Sequence, residues 1–391
     1  MAHGEDIDGF ISVGHSDLGG YGDGMQIARN GDALYVGHSG TTGMGTTILD
    51  VADPSNPVVV RQIASPAGGH SHKAVWADGI LLTNMEGFHG GTVDRPGMAI
   101  YDTTDPLDPE EIGFWNSTGK GVHRIYYPGG QYVYLSSTPD GFSDRIWNIV
   151  DVSDPTNPVE AGRWWYPGMA NDEVADWPAD EGRSVHHALI NVARDRAYVG
   201  MWGSGMAILD ITDFASPSLI SHLTWEVGGH THTCLPLVGR DLLVVTDEAV
   251  KDGCEDHPHM VRVIDIRDDT NPEVLAICPV PEGDFCERGH RFGAHNLHEN
   301  LPGSYQSQHL VFVSYFNAGL RAYDVTEPSA PSEVAHWIPS SPPDQSATQI
   351  NDLYVSADHT IFTSDRLTGG LYVVRPDDAL SARMTAASSA A

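Results

Sequence analysis

The sequence predicts an all-β protein, a seven-bladed β-propeller whose ring is closed by an N-terminal strand joining the last blade. Three observations carry this expectation. One phrase recurs six times: LDVADPSNPVVV from 49, YDTTDPLDPEEI from 101, VDVSDPTNPVEA from 150, LDITDFASPSLI from 209, IDIRDDTNPEVL from 264 and YDVTEPSAPSEV from 323. Its aspartates, Asp50, Asp102, Asp151, Asp210, Asp265 and Asp324, recur at about the period of propeller blades. Gly (42) and Pro (25) are abundant while helix-length amphipathic stretches are scarce, which favours short strands joined by turns. Finally, one histidine returns at a fixed place in successive units.

Each unit reads as four strands. In the second unit, HKAVWA is the inner strand, ILLTN the next, MAIYDTT the third and EEIGFW the outer one. In the recurring phrase a β-branched run makes a strand, Pro fixes φ in the turn that follows, and Asp caps that turn. The units span about 22–66, 68–118, 120–167, 184–227, 228–281, 291–340 and 348–376, within one domain of residues 1–378. The seventh, 350–376, has three strands and then ends, so its fourth is expected from GFISVGH at 9–15. Closure of this kind removes free sheet edges. Residues 379–391 read as a flexible tail.

The repeated histidines are His72, His123, His186, His232 and His295. Each stands three residues before Val75, Tyr126, Leu189, Leu235 or His298. Alone, any one would read as a hydrogen-bonded core histidine. Five in consecutive units build a ring of imidazoles on the inner strands, and the common use of such a ring is to bind a metal. Aligned on the same strand, Gly24 and Asp352 fill the first and last places. His70 and His230 fall two residues earlier on the same face, by the period-two alternation of a strand. A divalent ion is expected, Zn, Mn or Fe foremost and Cu also compatible, because neutral imidazole suits all of them.

The long segments, 84–97, 136–147, 166–184, 246–260 and 280–293, all overhang the face that carries the ring, whereas the Pro-linked turns opposite are short. Within them Glu86 and Glu248 occupy near-equivalent places, each a candidate general base or acid beside a metal. Arg366 sits at the matching place in the seventh unit, and Arg124 and Arg291 flank ring positions where they would hold a substrate carboxylate. Trp202, Tyr315 and Phe316 are expected to wall the pocket. His89, His257, His259 and His290 fall out of register and are left out of the site. In HNLHE (295–299) the two histidines lie three apart on a strand and face opposite ways.

Net charge is −32, from 53 acids against 21 bases, so nucleic acid and anionic membranes are not expected partners; a small-molecule substrate is. No apolar run reaches the roughly 20 residues of a membrane span. MAHGEDIDGF lacks the basic and apolar regions of a signal peptide, and a cytoplasmic location is expected. Cys234 and Cys278 fall in strands as reduced core residues, while Cys254 and Cys286 fall in loops, where pairing is left open. No phosphate-binding loop, dinucleotide fingerprint, nucleophile elbow or H-E-x-x-H motif is present.

The six Asp-containing phrases resemble the LVIVD-repeat β-propellers over nearly the whole chain, and the resemblance implies fold more than function. The histidine-lined channel is similar to those of other propeller metalloenzymes. These include selenium-binding proteins, among them the copper-dependent methanethiol oxidases, carotenoid cleavage oxygenases with four histidines on iron, and propeller lyases that set a divalent ion against an acidic sugar. GGHTHTCLPL (228–237) is loosely similar to the His-x-x-His-Cys-Leu segment of the first group, with different spacing. No group matches residue by residue, so architecture is carried over and activity is not. The expected function is a metal-dependent hydrolase or lyase. A copper or iron oxidoreductase is the second reading and a protein-binding platform the third.

Overall fold

The computed structural model describes residues 3–40, 42–87, 90–178, 181–226, 229–256 and 258–388; His89 and His257 lie outside them. The fold is all-β apart from one C-terminal helix and short turns. Its strands form successive four-stranded antiparallel units in chain order. The first holds Gly24–Asn30, Ala33–His38, Met44–Asp50 and Val58–Ala64. The second runs from Ala74–Ala77 to Glu110–Asn116 and joins the third, Gly121–Tyr126 to Val159–Trp164, through the pair Gly121 and Glu86. Gly121 has φ +101°, and a Cβ there would come within 2.8 Å of Glu86 Cα, so this seam requires glycine. The fourth unit is Ala188–Asn191 to Ser218–Leu223, and the fifth Thr231–Leu237 to Glu273–Ile277.

The sixth sheet orders Leu310–Ser314, Leu320–Asp324, Ser332–Ile338 and Asp6–Asp8. Its innermost segment is irregular. The His295 N–H donates to Ser314 O at 2.9 Å and the His298 N–H to Phe312 O at 3.0 Å, so the chain tracks the sheet without a full strand. The last sheet contains Ile350–Val355, Ile361–Asp365 and Gly370–Pro376, with Phe10–Ser16 paired antiparallel to Gly370–Pro376. The N-terminal segment thus supplies the last sheet's fourth strand. The added pairing of Asp6–Asp8 on the sixth sheet had no sequence signal.

Each recurring aspartate forms the same local turn. The carboxylates of Asp50, Asp102, Asp151, Asp210, Asp265 and Asp324 accept from the backbone N–H two residues on, at 2.8 to 2.9 Å. The apolar core lies between neighbouring sheets. Leu34, Val36 and Leu49 of the first sheet share one cluster with Phe362, Leu371 and Val373 of the last. Exposure is concentrated on the fourth strands, as at Val58 and Val159, while the middle strands are buried on both faces.

The C-terminus departs from expectation. Residues read as a flexible tail form a helix, Asp378–Ala387, capped by Asp377, whose side chain accepts from Leu380 N–H. Leu380 and Met384 are buried against the sixth and last sheets, and this docking stabilises a helix that its own composition would not. Cys254 and Cys286 form a disulfide between two long loops; Cys234 and Cys278 are free and buried. No helix among the described residues is long and apolar enough to cross a membrane.

Candidate metal centre

Several inner strands carry β-bulges at the ring position. Val122 opposes Ser137 and Arg124 opposes Ser136, so His123 has no partner across the ladder. His232 is skipped in the same way between Thr231 and Thr233, and Asn351 between Ile350 and Asp352. A bulge sets two residues against one and re-aims the extra side chain. Here it sorts consecutive residues into two layers, His72, His123, His186, His232 and His295 in the ring, and Lys73, Arg124, His187, Asn296 and Asp352 beneath. Gly24 and Asp352 therefore do not occupy the ring places expected of them. Asn351 takes the last one, and Asp352 lies in the lower layer with its Oδ2 accepting from the Ile27 N–H at 2.8 Å. In the first sheet the bulge spans Met25 and Gln26.

The five ring histidines touch in sequence. Ring centroids are 5.1 Å apart for His72 and His123, 4.8 Å for His123 and His186, 4.2 Å for His186 and His232, and 4.3 Å for His232 and His295. Trp202 stacks on His186 at 4.8 Å and Phe316 on His295 at 4.7 Å. Burial holds His72, His186 and His232 well below the usual imidazole pKa, and His123 and His295 down to about 4, so the ring is neutral at pH 7.

Neighbouring groups set the tautomers. His295 Nδ1 lies 2.7 Å from Asn351 O and His123 Nδ1 2.8 Å from Glu86 Oε2. The carboxylate only accepts, so His123 Nδ1 carries the proton and its Nε2 presents a lone pair; His295 Nδ1 faces both Asn351 O and, at 3.2 Å, the Asn296 amide nitrogen, and the shorter contact to Asn351 O sets its proton on Nδ1. His232 Nδ1 is engaged by Thr233 Oγ1 at 2.8 Å. His72 is held the other way. The Asn84 amide N–H donates to His72 Nδ1 at 3.1 Å, while Asn84 Oδ1 accepts from Lys73 N–H, which fixes the amide orientation. His72 Nε2 therefore carries the proton and, buried without a partner, offers no lone pair.

Two carboxylates flank the ring. Glu86 Oε2 lies 2.9 Å from His70 Nε2 and 2.8 Å from His123 Nδ1. Glu248 Oε2 lies 4.0, 3.8 and 3.6 Å from Nε2 of His186, His232 and His295. Its other oxygen, Oε1, faces Arg291 at 3.0 Å and Arg366 at 3.9 Å. Burial opposes charge on both carboxylates. It is outweighed by His123 and His70 around Glu86, and by His295, Arg291 and Arg366 around Glu248, so both titrate well below the usual range. Both carboxylates are therefore charged at neutral pH.

A cavity of about 600 Å³ opens over the ring, lined by His70, Glu86, His123, His186, Trp202, Glu248, Arg291 and Arg366 among others. Arg124 is not at this mouth. It is buried in the lower layer, donating to Asn296 Oδ1 at 3.0 Å and facing Glu299 Oε1 at 3.5 Å, because the bulge turns it one step below His123. Tyr315 is buried as well, and its O–H donates to His259 O at 3.1 Å instead of walling the cavity. His230 stands away from the ring, with His259 and Asp256. His298 turns from the ring to Tyr305 O, as strand geometry requires. Sequence reasoning missed Arg145, which lines the cavity from the 136–147 loop, and the buried pair His187 and Glu299 at 2.7 Å. The tandem His186–His187 was the one signal for that pair.

Three groups of residues could hold a metal ion by proximity of their donor atoms: His70, His72 and Glu86; His186, His232 and Glu248; and His230, Asp256 and His259. The first fits poorly. His70 Nδ1 faces Ser39 O and its Nε2 faces Glu86, while His72 is protonated toward the ring. The second fits, because its imidazole nitrogens are neutral and gathered on one carboxylate oxygen.

The chain carries LVIVD repeats at residues 21–64, 130–165 and 190–224. No curated protein matches it in sequence. Among solved structures it is similar to a hypothetical selenium-binding protein from Sulfolobus tokodaii, with TM-score 0.55 and 12% identity over 88% of this chain and 84% of that one. It is also similar to the β-propeller domain of Cps50 (Swd1) from Myceliophteria thermophila, with TM-score 0.55 and 14% identity over 94% and 98% of the two chains. The all-β fold is thus of propeller type.

Proposed function

We propose that the protein is a metal-dependent enzyme on a seven-bladed propeller, closed by Phe10–Ser16 on the last sheet, and that it acts as a hydrolase or lyase on a small anionic substrate. The divalent ion is held by Nε2 of His186, His232 and His295 and by Oε2 of Glu248, with His123 beside them. The observation that carries this reading is the approach of three neutral imidazole nitrogens to one carboxylate oxygen at 3.6 to 4.0 Å. A tetrahedral ion with donors about 2.1 Å away would space them roughly 3.4 Å apart; those of His186, His232 and Glu248 already lie within 4.8 Å of one another, and His295 would move in to join them.

The ion would supply Lewis acidity toward a polar substrate oxygen. The residues do the rest. Glu86 accepts the Nδ1–H of His123 and leaves its Nε2 lone pair 3.1 Å from His186 Nε2; without an ion that contact is a hydrogen bond donated by His186 Nε2–H, and metal binding would displace this proton to Nδ1. Glu86 is thereby a positioning residue. Arg145, Arg291 and Arg366 bring three guanidiniums to one cavity of a chain with net charge −32. Crowding shows at Arg366, pushed down to about 10 by burial and then by Arg291. Arg291 and Arg366 share the single Glu248 oxygen Oε1, which leaves guanidinium donors to hold an anionic substrate group. Trp202, stacked on His186, supplies an apolar wall.

An imidazole-rich donor set also suits copper or iron, which keeps an oxidoreductase as the second reading. Disulfides persist in oxidising compartments, so the Cys254–Cys286 bridge weighs against a cytoplasmic setting.

Elemental analysis of the untagged protein beside His232→Ala tests the proposal. The parent should carry one equivalent more than the variant. Zn or Mn in that equivalent supports hydrolysis or elimination, and Cu or Fe transfers the proposal to redox chemistry. Equal metal content in parent and variant, with no extra uptake on titration, removes the catalytic reading.

A further inference from the structure

We propose that His230, Asp256 and His259 form a second divalent-cation site, separate from the ring. Their donor atoms lie within 4.8 Å of one another. His259 is the central member. Its Nδ1 lies 3.1 Å from Gly229 O, which only accepts, so Nδ1 carries a proton and Nε2 is the nitrogen that a metal ion would take. That Nε2 is 3.0 Å from Asp256 Oδ2. The His259 side chain is 2% exposed, and its contact with the Asp256 carboxylate must be bridged by a proton or by a metal ion. A lone pair and a carboxylate oxygen held together in a buried place repel each other unless a cation joins them.

The third ligand comes from the neighbouring strand entry. The His230 ring lies parallel to that of His259, with centroids 5.7 Å apart and planes at 14°. His230 Nδ1 is buried and without a hydrogen-bond partner. The Asp256 carboxylate is fixed independently, since Oδ2 accepts from the Val250 N–H at 2.8 Å and the Lys251 N–H at 3.1 Å. Below, Tyr315 holds the His259 carbonyl. Two residues from Asp256, Cys254 is bridged to Cys286, so the loop is pinned to the chain that leads to Arg291. Two imidazoles and one carboxylate form the donor set of a borderline transition ion such as Zn, with a further position left to water or substrate. Trp202 stands between the two centres, 4.8 Å from His186 and 4.7 Å from His230 by ring centroids.

Cobalt(II) is a suitable probe because its visible bands report bound, low-coordinate ion. In a protein carrying His232→Ala and Glu248→Gln, which disables the ring centre, one equivalent of cobalt should still bind and show those bands. Adding His259→Gln should abolish them. Adding Asp256→Asn, which keeps an oxygen for the Val250 and Lys251 amides and so preserves the loop, should weaken cobalt at least tenfold; circular dichroism confirms the fold of each variant. The site is overturned if cobalt uptake in that background is unchanged by either substitution. It is also overturned if no cobalt binds and nitrogen-detected NMR finds both His259 ring nitrogens protonated, since the occupant would then be a proton. Loss of metal from the ring with retention here would sink the catalytic proposal alone.

Discussion

Glu86 and Glu248 leave their second strands at near-equivalent places, yet they face the histidine ring in different ways. Glu86 makes two direct hydrogen bonds, to His70 and His123, and its side of the ring has its protons committed. Glu248 stands 3.6 to 4.0 Å from three imidazole nitrogens, too far for hydrogen bonds, while Arg291 holds its other oxygen. One carboxylate orients a histidine and the other leaves an ion-sized gap. The lesson is that an aligned residue fixes where a carboxylate stands, and the proton positions of its neighbours decide what it does.

The largest expected effect breaks this contrast directly. A structural zinc site binds with about 10–16 kcal/mol shared over four ligands. Glu248→Gln should therefore weaken metal by roughly 4 kcal/mol, on the order of 1,000-fold, in competition titrations against a chelator. Glu86→Gln should weaken it only about 10- to 100-fold, because it disturbs the aim of His123 and removes no ligand. Equal losses would show that Glu86 is itself a ligand. Next comes the Cys254–Cys286 bridge, which ties only the Glu248 side. It closes a loop with sequence separation 32, so replacing both cysteines by serine should cost about 4 kcal/mol in denaturant unfolding. Proteolysis should then begin in 248–260 and 280–293 and spare the Glu86 side.

The difference between the two sides was only partly legible in sequence. The Asp turns were, because each is made within three residues, and the ring histidines were, because repetition marks them. Asp352 and Gly24 were misplaced because a bulge shifts the strand by one residue and leaves no trace in the period. His259 and Asp256 sit in a loop without register and are joined only by tertiary folding. The helix at Asp378–Ala387 owes its order to the burial of Leu380 and Met384, a contact with sheets far away in sequence. The opposite tautomers of His72 and His123 depend on Asn84 and Glu86, which only the fold brings into contact.

Acid should treat the two sides alike, and this is the smallest effect. His123 beside Glu86 and His295 beside Glu248 are both held down to about 4, chiefly by burial in each case. Unfolding exposes them, and each then takes up its proton near pH 6.5. Between about pH 6.5 and 4 the unfolded chain binds protons that the folded one refuses, so stability falls as pH falls. The slope is at most about 1.4 kcal/mol per pH unit for each imidazole. Measured on metal-free protein, His123→Gln and His295→Gln should each flatten the stability profile by one imidazole's share, and by equal amounts. A flattening confined to His295→Gln would mean that the hydrogen bond from His123 to Glu86 survives unfolding or that His123 is already protonated in the folded state. The second result would remove the lone pair that the Glu86 side is held to present.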